Sequence, residues 1–276
     1  MDKPKYFPHI GESIKLLLMY TLVFGFILEI GFIFLSNFFN IPPHDPLRDS
    51  LLSIIQLVLL IVWINRKNQV TFHEIFYLEQ TFVSYIVPMI FIVLGLGIVL
   101  SEFDNLLRTI LPMNNFWLNI FHGIHNTDHG LWKTMIRVAF VAPIVEELLF
   151  RGIILKGFTK HYSIKKSIMV SALLFGLMHM NPWQFLGAFI WGIVAGWWFI
   201  KTRSIIPCIL GHALNNSLSF IEIAIPGFNT NFIEVHFQPM WFDLLGIILL
   251  VAGLVLLLKK FRNMEYPIED TLIIEK

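Results

Sequence analysis

The feature that most limits the fold of this chain is its series of long apolar blocks. Only 14% of the residues are charged, against about 25% in an ordinary soluble domain, and the mean hydropathy is +0.71. Blocks approaching the roughly 20 residues that span a bilayer predict transmembrane helices. We therefore expect an all-α fold, a polytopic membrane helix bundle of about eight transmembrane helices forming a single membrane domain over residues 1–276. The apolar segments are 14–39, 50–65, 82–101, 131–158, 164–180, 183–200, 204–223 and 240–258.

Basic residues follow every second predicted helix, whereas the loops between carry few, such as Arg48 and Arg108. Lysine and arginine are enriched on the cytoplasmic side of membrane proteins, so this alternation predicts that both termini are cytoplasmic. The net charge of +1 and the lack of a clustered basic face argue against a nucleic-acid partner. The basic residues that fall on the predicted cytoplasmic side are Lys3, Lys5, Lys15, Arg66, Lys67, Lys156, Lys160, Lys165, Lys166, Lys201, Arg203, Lys259, Lys260 and Arg262.

An acidic pair, Glu146-Glu147, lies inside the fourth predicted helix. A charged residue at mid-membrane costs about 2.5–3.5 kcal/mol on insertion scales, so such residues are functional candidates. Glu147 and Arg151 are four residues apart, share a helix face and can form an ion pair. Glu146 is turned about 100° away from Glu147. The spacing predicts a supporting ion pair at Glu147 and a free carboxylate at Glu146, suited to take a proton from water.

Two further helices carry polar partners at helical spacing. Phe175 and His179 share one face of the fifth helix, and His212 and Asn216 share one face of the seventh. We expect Glu146 to act as a base, the two histidines to hold or polarise a water directly or through a metal, and Asn216 to donate to a developing oxyanion. Glutamate with two histidines is also a zinc ligand set, so Glu146, His179 and His212 are candidate ligands for Zn²⁺. The usual helical signature H-E-x-x-H is absent.

These motifs resemble those of the CPBP family, the CAAX proteases and bacteriocin-processing proteins also called the Abi family. The resemblance covers roughly residues 130–225 and implies an intramembrane endopeptidase, commonly described as a metalloprotease, that cleaves a membrane-associated or lipidated substrate. It also implies an integral membrane protein, and the bacterial relatives point to a bacterial plasma membrane. The residues that match the family motifs are Glu146, Glu147, Arg151, Phe175, His179, His212 and Asn216.

Two other functions remain open from the sequence. The family includes proteins that act as membrane scaffolds, regulators or bacteriocin self-immunity factors, so the same fold could serve without catalysis. A transporter could use buried carboxylates and histidines to relay protons, but no matching pair of broken helices occurs in the two halves. The substrate, the oligomeric state and the side to which the site opens are not determined by the sequence.

Several features lie outside the motifs. Glu29 lies within the first predicted span without an obvious local partner, and Arg137, early in the fourth helix, is expected to reach an interface or a carboxylate. Trp191 is interpreted as a packing residue. Beside it, Ala188, Gly192 and Gly196 form a stripe of small residues that favours close packing inside the bundle over a dimer interface. Residues 69–80 could form a short interfacial helix. A histidine-rich loop is interpreted as solvated rather than as a metal site: His122, His125, Asp128 and His129.

Overall fold

The computed structural model describes residues 8–39, 45–68, 80–124, 128, 130–220 and 235–262. Within these ranges the regular secondary structure is helical, and no strand occurs. Two helices contain π-helical stretches, at Met19–Gly25 in the first and at Ile136–Val141 and Leu148–Leu155 in the fifth. The helices are α1 (Ile10–Leu18 continued through Met19–Gly25 and Phe26–Phe39), α2 (Pro46–Asn68), α3 (Ile86–Ile110), α4 (Asn115–Ile124), α5 (Leu131–Met135 continued through Ile136–Val141, Ala142–Glu147, Leu148–Leu155 and Lys156–His161), α6 (Ile164–Met178), α7 (Pro182–Thr202), α8 (Ile206–Leu218) and α9 (Met240–Arg262).

Each of the eight apolar segments corresponds to a helix, which confirms the all-α membrane bundle. Five helices in the described part of the chain are long and apolar enough to cross a membrane, namely α1, α2, α3, α7 and α9. The count of eight spans and the positions of the termini therefore stay predictions. The sequence did not predict α4, because its ten residues are too few to span a bilayer and fall within a predicted loop.

Helices α3 and α9 pack antiparallel along a line of glycines. A Cβ atom added to Gly95 would lie 2.5 Å from the backbone nitrogen of Leu250 and 2.7 Å from the carbonyl oxygen of Gly246. One added to Gly253 would lie 2.8 Å from the carbonyl oxygen of Pro88. Small residues let helix backbones approach closely in membranes, where packing replaces the hydrophobic effect as the force between helices. The α3–α9 pair therefore depends on these glycines.

The stripe of small residues on α7 lies inside the bundle, against α6. A Cβ atom added to Gly192 would lie 2.8 Å from the Cβ of Ala172, and one added to Gly196 would lie 3.2 Å from a methyl carbon of Ile168. The stripe thus brings α6 and α7 close together, as the sequence predicted.

Helix ends gather on two opposite faces of the bundle. On face 1 the start of α1 meets the end of α5, where the backbone nitrogen of Ile10 donates to the hydroxyl of Tyr162 at 3.5 Å. The end of α9 meets the end of α7 and the start of α3, since the Phe261 ring lies 5.3 Å from that of Trp197 and 5.2 Å from that of Tyr85. Face 1 is defined by these ends together with the end of α2 and the start of α6.

Face 2 carries the opposite helix ends. Trp183 at the start of α7 donates its indole N–H to the carbonyl oxygen of Leu111, just past α3, at 2.9 Å. Lys133 at the start of α5 lies 2.6 Å from the Asp45 carboxylate beside the start of α2. The hydrogen bond from Lys133 lowers the pKa of the Asp45 carboxyl below its ordinary value. Face 2 also holds α4, the α6–α7 turn and the end of α8.

Substituting Gly95 by alanine is expected to destabilise the bundle. The added methyl group meets backbone atoms, which cannot yield as a side chain can, so α3 and α9 must separate at a cost of about 1–3 kcal/mol. The melting temperature of purified protein in detergent should fall. Gly31→Ala on α1 is the matched control, because nothing lies within 4 Å of its added methyl group. Equal melting temperatures for the two variants would contradict the proposed close packing.

Candidate active site

A buried ion pair joins two residues one turn apart on α5. The side chains of Glu147 and Arg151 are 0% and 1% exposed, and Arg151 Nη1 lies 2.9 Å from Glu147 Oε2. The other carboxylate oxygen, Oε1, accepts a hydrogen bond from Trp191 Nε1 at 3.1 Å and lies 2.8 Å from His212 Nδ1. Glu147 therefore connects α5 with α7 and α8. This is the ion pair predicted from the four-residue spacing, with two partners that the sequence did not predict.

Arg151 and Phe175 complete the buried side of this network. Arg151 Nη2 donates to the carbonyl oxygen of Gly192 at 3.3 Å, and its guanidinium carbon lies 4.9 Å above the centre of the Phe175 ring. Such cation–π contacts are attractive because the ring face is electron-rich. The Phe175 ring also meets the rings of His179 and His212, at 5.1 and 5.8 Å between centroids. Phe175 thus contacts the buried arginine and both imidazoles.

Glu146 lies on the other side of α5, where its side chain is 33% exposed. Its Oε2 lies 3.8 Å from His212 Nε2. Because the carboxylate of Glu147 can only accept a hydrogen bond, His212 donates to it through Nδ1, and a neutral ring then presents the lone pair of Nε2 toward Glu146. The single imidazole of His212 is therefore held by one glutamate and faces the other. This is the division between Glu146 and Glu147 that helical geometry predicted.

His179 stands at the end of α6 and is fixed by the turn that follows. Its Nδ1 lies 3.0 Å from the carbonyl oxygen of Phe175, which can only accept, so the ring donates through Nδ1 and keeps Nε2 available. Met180 has a left-handed backbone with φ of 53°. Asn181 then caps α7 by accepting from the Gln184 backbone N–H at 2.8 Å, and its amide donates to the carbonyl oxygen of His179 at 2.8 Å.

Asn216 is oriented by the π-helical stretch early in α5. Its Nδ2 donates to the carbonyl oxygen of Val138 at 2.9 Å. A carboxamide has two N–H bonds, so one hydrogen fixes the group and the second remains for a ligand. π-Helical turns occur frequently at functional sites. The contact with Val138 also connects α8 to the same helix that carries Glu146.

The four residues expected to perform catalysis line one cavity of about 440 Å³. Glu146, His179, His212 and Asn216 all contribute to its wall. The tertiary structure therefore brings together side chains from α5, α6 and α8, as the motif spacing predicted. Their catalytic roles stay a prediction. The cavity is also lined by Asp104, Arg108, Met113, Phe121, Arg137, Val138, Ala142, Trp183, Gln184, Asn215 and Ser219.

Trp191 has a role that the sequence interpretation missed. It packs edge-to-face against Trp198, with 5.6 Å between ring centroids, so it is a packing residue as expected. It also donates to Glu147 and is only 5% exposed. A buried tryptophan usually needs an acceptor for its indole N–H. Trp191 lies in the middle of an apolar span, next to Gly192, where no water is at hand to accept from the indole. This position could have indicated that the acceptor lies on a neighbouring helix.

A second cavity, of about 760 Å³, lies between α1, α2 and the start of α5. Glu29, left without a partner in the sequence, lies 2.5 Å from Arg48 Nη2, and Arg137 Nη1 lies 3.5 Å from Asp49 Oδ2. Arg137 thus reaches a carboxylate, as expected, and lines both cavities.

Two predictions fall outside the described part of the chain and stay untested. The predicted interfacial helix includes residues 69–79, which are not described. The histidine-rich loop includes His125 and His129, which are not described either, nor is the side chain of His122.

The predicted zinc ligands do not form a ready metal site in this conformation. Among the residues that the structure describes, no three histidine, cysteine, aspartate or glutamate side chains are grouped so as to hold a metal ion. Glu146, His179 and His212 line the same cavity, but their side chains are not close enough together to form a three-ligand group. A zinc requirement therefore stays a prediction of the sequence.

Comparison with known families identifies the segment that carries the site. Residues 128–218 match the family model described as type II CAAX prenyl endopeptidase Rce1-like. The match covers α5 to α8, which hold every residue of the predicted site, and it assigns this segment to the CAAX protease or CPBP family. No curated protein and no solved structure matches the chain.

Replacing Arg151 by methionine is expected to destabilise the fold strongly. The substitution leaves the Glu147 carboxylate buried without its cation, and breaking such a pair costs about 3–5 kcal/mol. Lys133→Met is the matched control, because the Lys133–Asp45 pair is partly exposed and such pairs contribute about 0–1 kcal/mol. Thermal unfolding in detergent measures both. Similar losses in the two variants would show that the buried pair has no special importance.

Proposed function

We propose that this protein is an intramembrane endopeptidase of CAAX-protease type that cleaves a peptide bond in a membrane-associated or lipidated substrate. The observation that carries the proposal is the placement of Glu146 opposite His212 Nε2 in a cavity shared with His179 and Asn216. The family of residues 128–218 supports the same class of activity. The reaction is hydrolysis by a water molecule that Glu146 activates.

The first step is attack on the substrate carbonyl. Glu146 Oε2 and His212 Nε2 are both acceptors, 3.8 Å apart, so a water about 2.8 Å from each can donate one hydrogen to each. Glu146 takes a proton from this water as general base. The water oxygen forms a bond to the carbonyl carbon, and the electron pair of the C=O bond moves onto the oxygen, which becomes an oxyanion.

The second step is collapse of the tetrahedral intermediate. The unused N–H of Asn216 donates to the oxyanion, and a preorganised donor of this kind stabilises the transition state. His179 keeps its Nε2 lone pair to accept a hydrogen bond from the N–H of the peptide. The C–N bond then breaks as the C=O bond re-forms, and the protonated Glu146 gives its proton to the leaving amine. Glu146 is thereby restored as a carboxylate.

Glu147 is a positioning residue in this mechanism. It fixes the ring orientation and tautomer of His212 through the 2.8 Å contact to Nδ1, as an outer carboxylate orients a functional histidine. Arg151, Trp191 and Phe175 hold Glu147 and the imidazoles in turn. The catalytic water thus depends on side chains from three helices that never touch it.

Zinc is a separate proposal that concerns the same residues. A zinc ion bound by Glu146, His179 and His212 would supply Lewis-acid activation of the water. Metal analysis of the purified protein tests this directly. Stoichiometric zinc that is lost in His212→Ala would support it, whereas cleavage by preparations free of zinc after chelation would rule it out.

Glu146→Gln is expected to lower cleavage by about 10²–10⁴-fold, because the amide keeps the shape of the side chain but cannot accept the proton. The assay incubates purified protein in liposomes with membrane-associated and lipidated peptides and detects new termini by mass spectrometry. Glu29→Gln makes the same chemical change in the other cavity and should leave the rate unchanged. Equal cleavage by wild type and Glu146→Gln would remove Glu146 as the base.

Asn216→Ala is expected to lower kcat by about 10²–10³-fold with little change in KM, because an oxyanion donor acts mainly in the transition state. Asn105→Ala, an asparagine that contacts Glu102 outside this cavity, is the control. Steady-state kinetics on a cleaved peptide separate the two parameters. A rise in KM with an unchanged kcat would instead assign Asn216 to substrate binding.

A further inference from the structure

The two faces of the bundle differ sharply in charge. Face 1 carries one described acidic residue, Glu12, near the start of α1. Its basic residues lie at helix ends that the contacts among Ile10, Tyr162, Trp197 and Phe261 bring together. Those described basic residues are Lys15, Arg66, Lys156, Lys160, Lys165, Lys166, Lys201, Arg203, Lys259, Lys260 and Arg262.

Face 2 has the opposite balance, with more carboxylates than basic groups. Its described basic residues are Arg48, Arg108, Lys133 and Arg137, and each lies within 4 Å of a carboxylate. Its described acidic residues are Glu29, Asp45, Asp49, Glu102, Asp104, Asp128 and Asp243. Because lysine and arginine are retained on the cytoplasmic side during insertion, this difference in charge predicts that face 1 is the cytoplasmic face and that face 2 lies across the membrane from it.

The cavity around Glu146 extends from the face 2 side of the bundle to the middle of α5 and α8. Its wall is formed by the end of α3, by Phe121 on α4, by the first half of α5, by the turn between α6 and α7, and by the end of α8. Charged residues at its rim, Asp104, Arg108 and Arg137, lie toward this same face. None of the basic helix ends of face 1 contributes to the lining among the described residues.

We propose that the site opens on the side of the membrane opposite the cytoplasm. The substrate class follows from this access, and this part rests on the proposed function. A peptide must enter from the side that face 2 meets, so the substrate is an exported or outer-leaflet membrane-associated peptide. A protein anchored by a lipid on the cytoplasmic leaflet would meet face 1, at the wrong end of the bundle.

Cysteine labelling tests the side of access without requiring any cleavage. The single cysteine of the chain, Cys208, is 0% exposed, so wild-type protein should give little background. Ser219 lines the cavity, and Ser163 is exposed on face 1 between α5 and α6. The variants Ser219→Cys and Ser163→Cys make the same atomic change on the two faces. Each is expressed in a bacterial host that inserts the protein into its plasma membrane.

A membrane-impermeant maleimide is applied to intact cells and to opened cells. We expect Ser219→Cys to be labelled equally in both, and Ser163→Cys to lose all labelling in intact cells. The reverse pattern overturns the proposal. Should Ser219→Cys stay unlabelled even in detergent, Asp128→Cys, at an exposed position on face 2, decides the question. Labelling of that variant in intact cells supports the proposed side, and labelling in opened cells alone overturns it.

The result is independent of the proposed protease activity. A protein that cleaves no peptide but is labelled from outside at Ser219→Cys would support the proposed orientation and contradict the proposed function. A protein that cleaves peptides but is labelled at that position only after the cells are opened would support the proposed function and contradict the proposed orientation. The substrate class requires both the outside labelling and the cleavage.

Discussion

The contact of Glu147 with Arg151 and His212 is the interaction on which the arrangement of the site depends. A fully buried carboxylate is stable only when its charge is compensated and its oxygens have partners. Glu147 meets that need with a cation one turn along its own helix, an imidazole from α8 and an indole from α7. Because these partners lie on α5, α7 and α8, the contacts of the Glu147 carboxylate fix the relative positions of three helices.

Because Glu146 and Glu147 are adjacent in one helix, their side chains lie in two different environments. Successive side chains point about 100° apart. Glu147 can therefore lie in the interior while Glu146 borders a polar cavity, and His212 between them contacts one glutamate through Nδ1 and faces the other through Nε2. The buried network thus reaches the candidate site, because Glu147, the carboxylate that is most costly to bury, also orients His212.

Close helix packing makes this network possible. The glycines of α7 bring α6 and α7 together, which places Trp191 level with Glu147 and the carbonyl oxygen of Gly192 level with Arg151. The polar cavity lies toward the end of the bundle that carries the α6–α7 turn and the end of α8. The basic helix ends of face 1 do not line this cavity among the described residues, and the proposed side of access rests on that separation.

The sequence by itself determined the helical membrane fold, the positions of the long helices and the identity of Glu146, His179, His212 and Asn216 as candidates, since apolar blocks and i, i+4 spacing are local properties. It also predicted the Glu147–Arg151 pair, whose partners share one helix. It missed α4, which is too short for a membrane signal, and it missed the bond from Trp191 to Glu147. Only the tertiary structure decided that bond, the shared cavity and its end of the bundle, because these depend on how separate helices pack, and no periodicity along one helix encodes them.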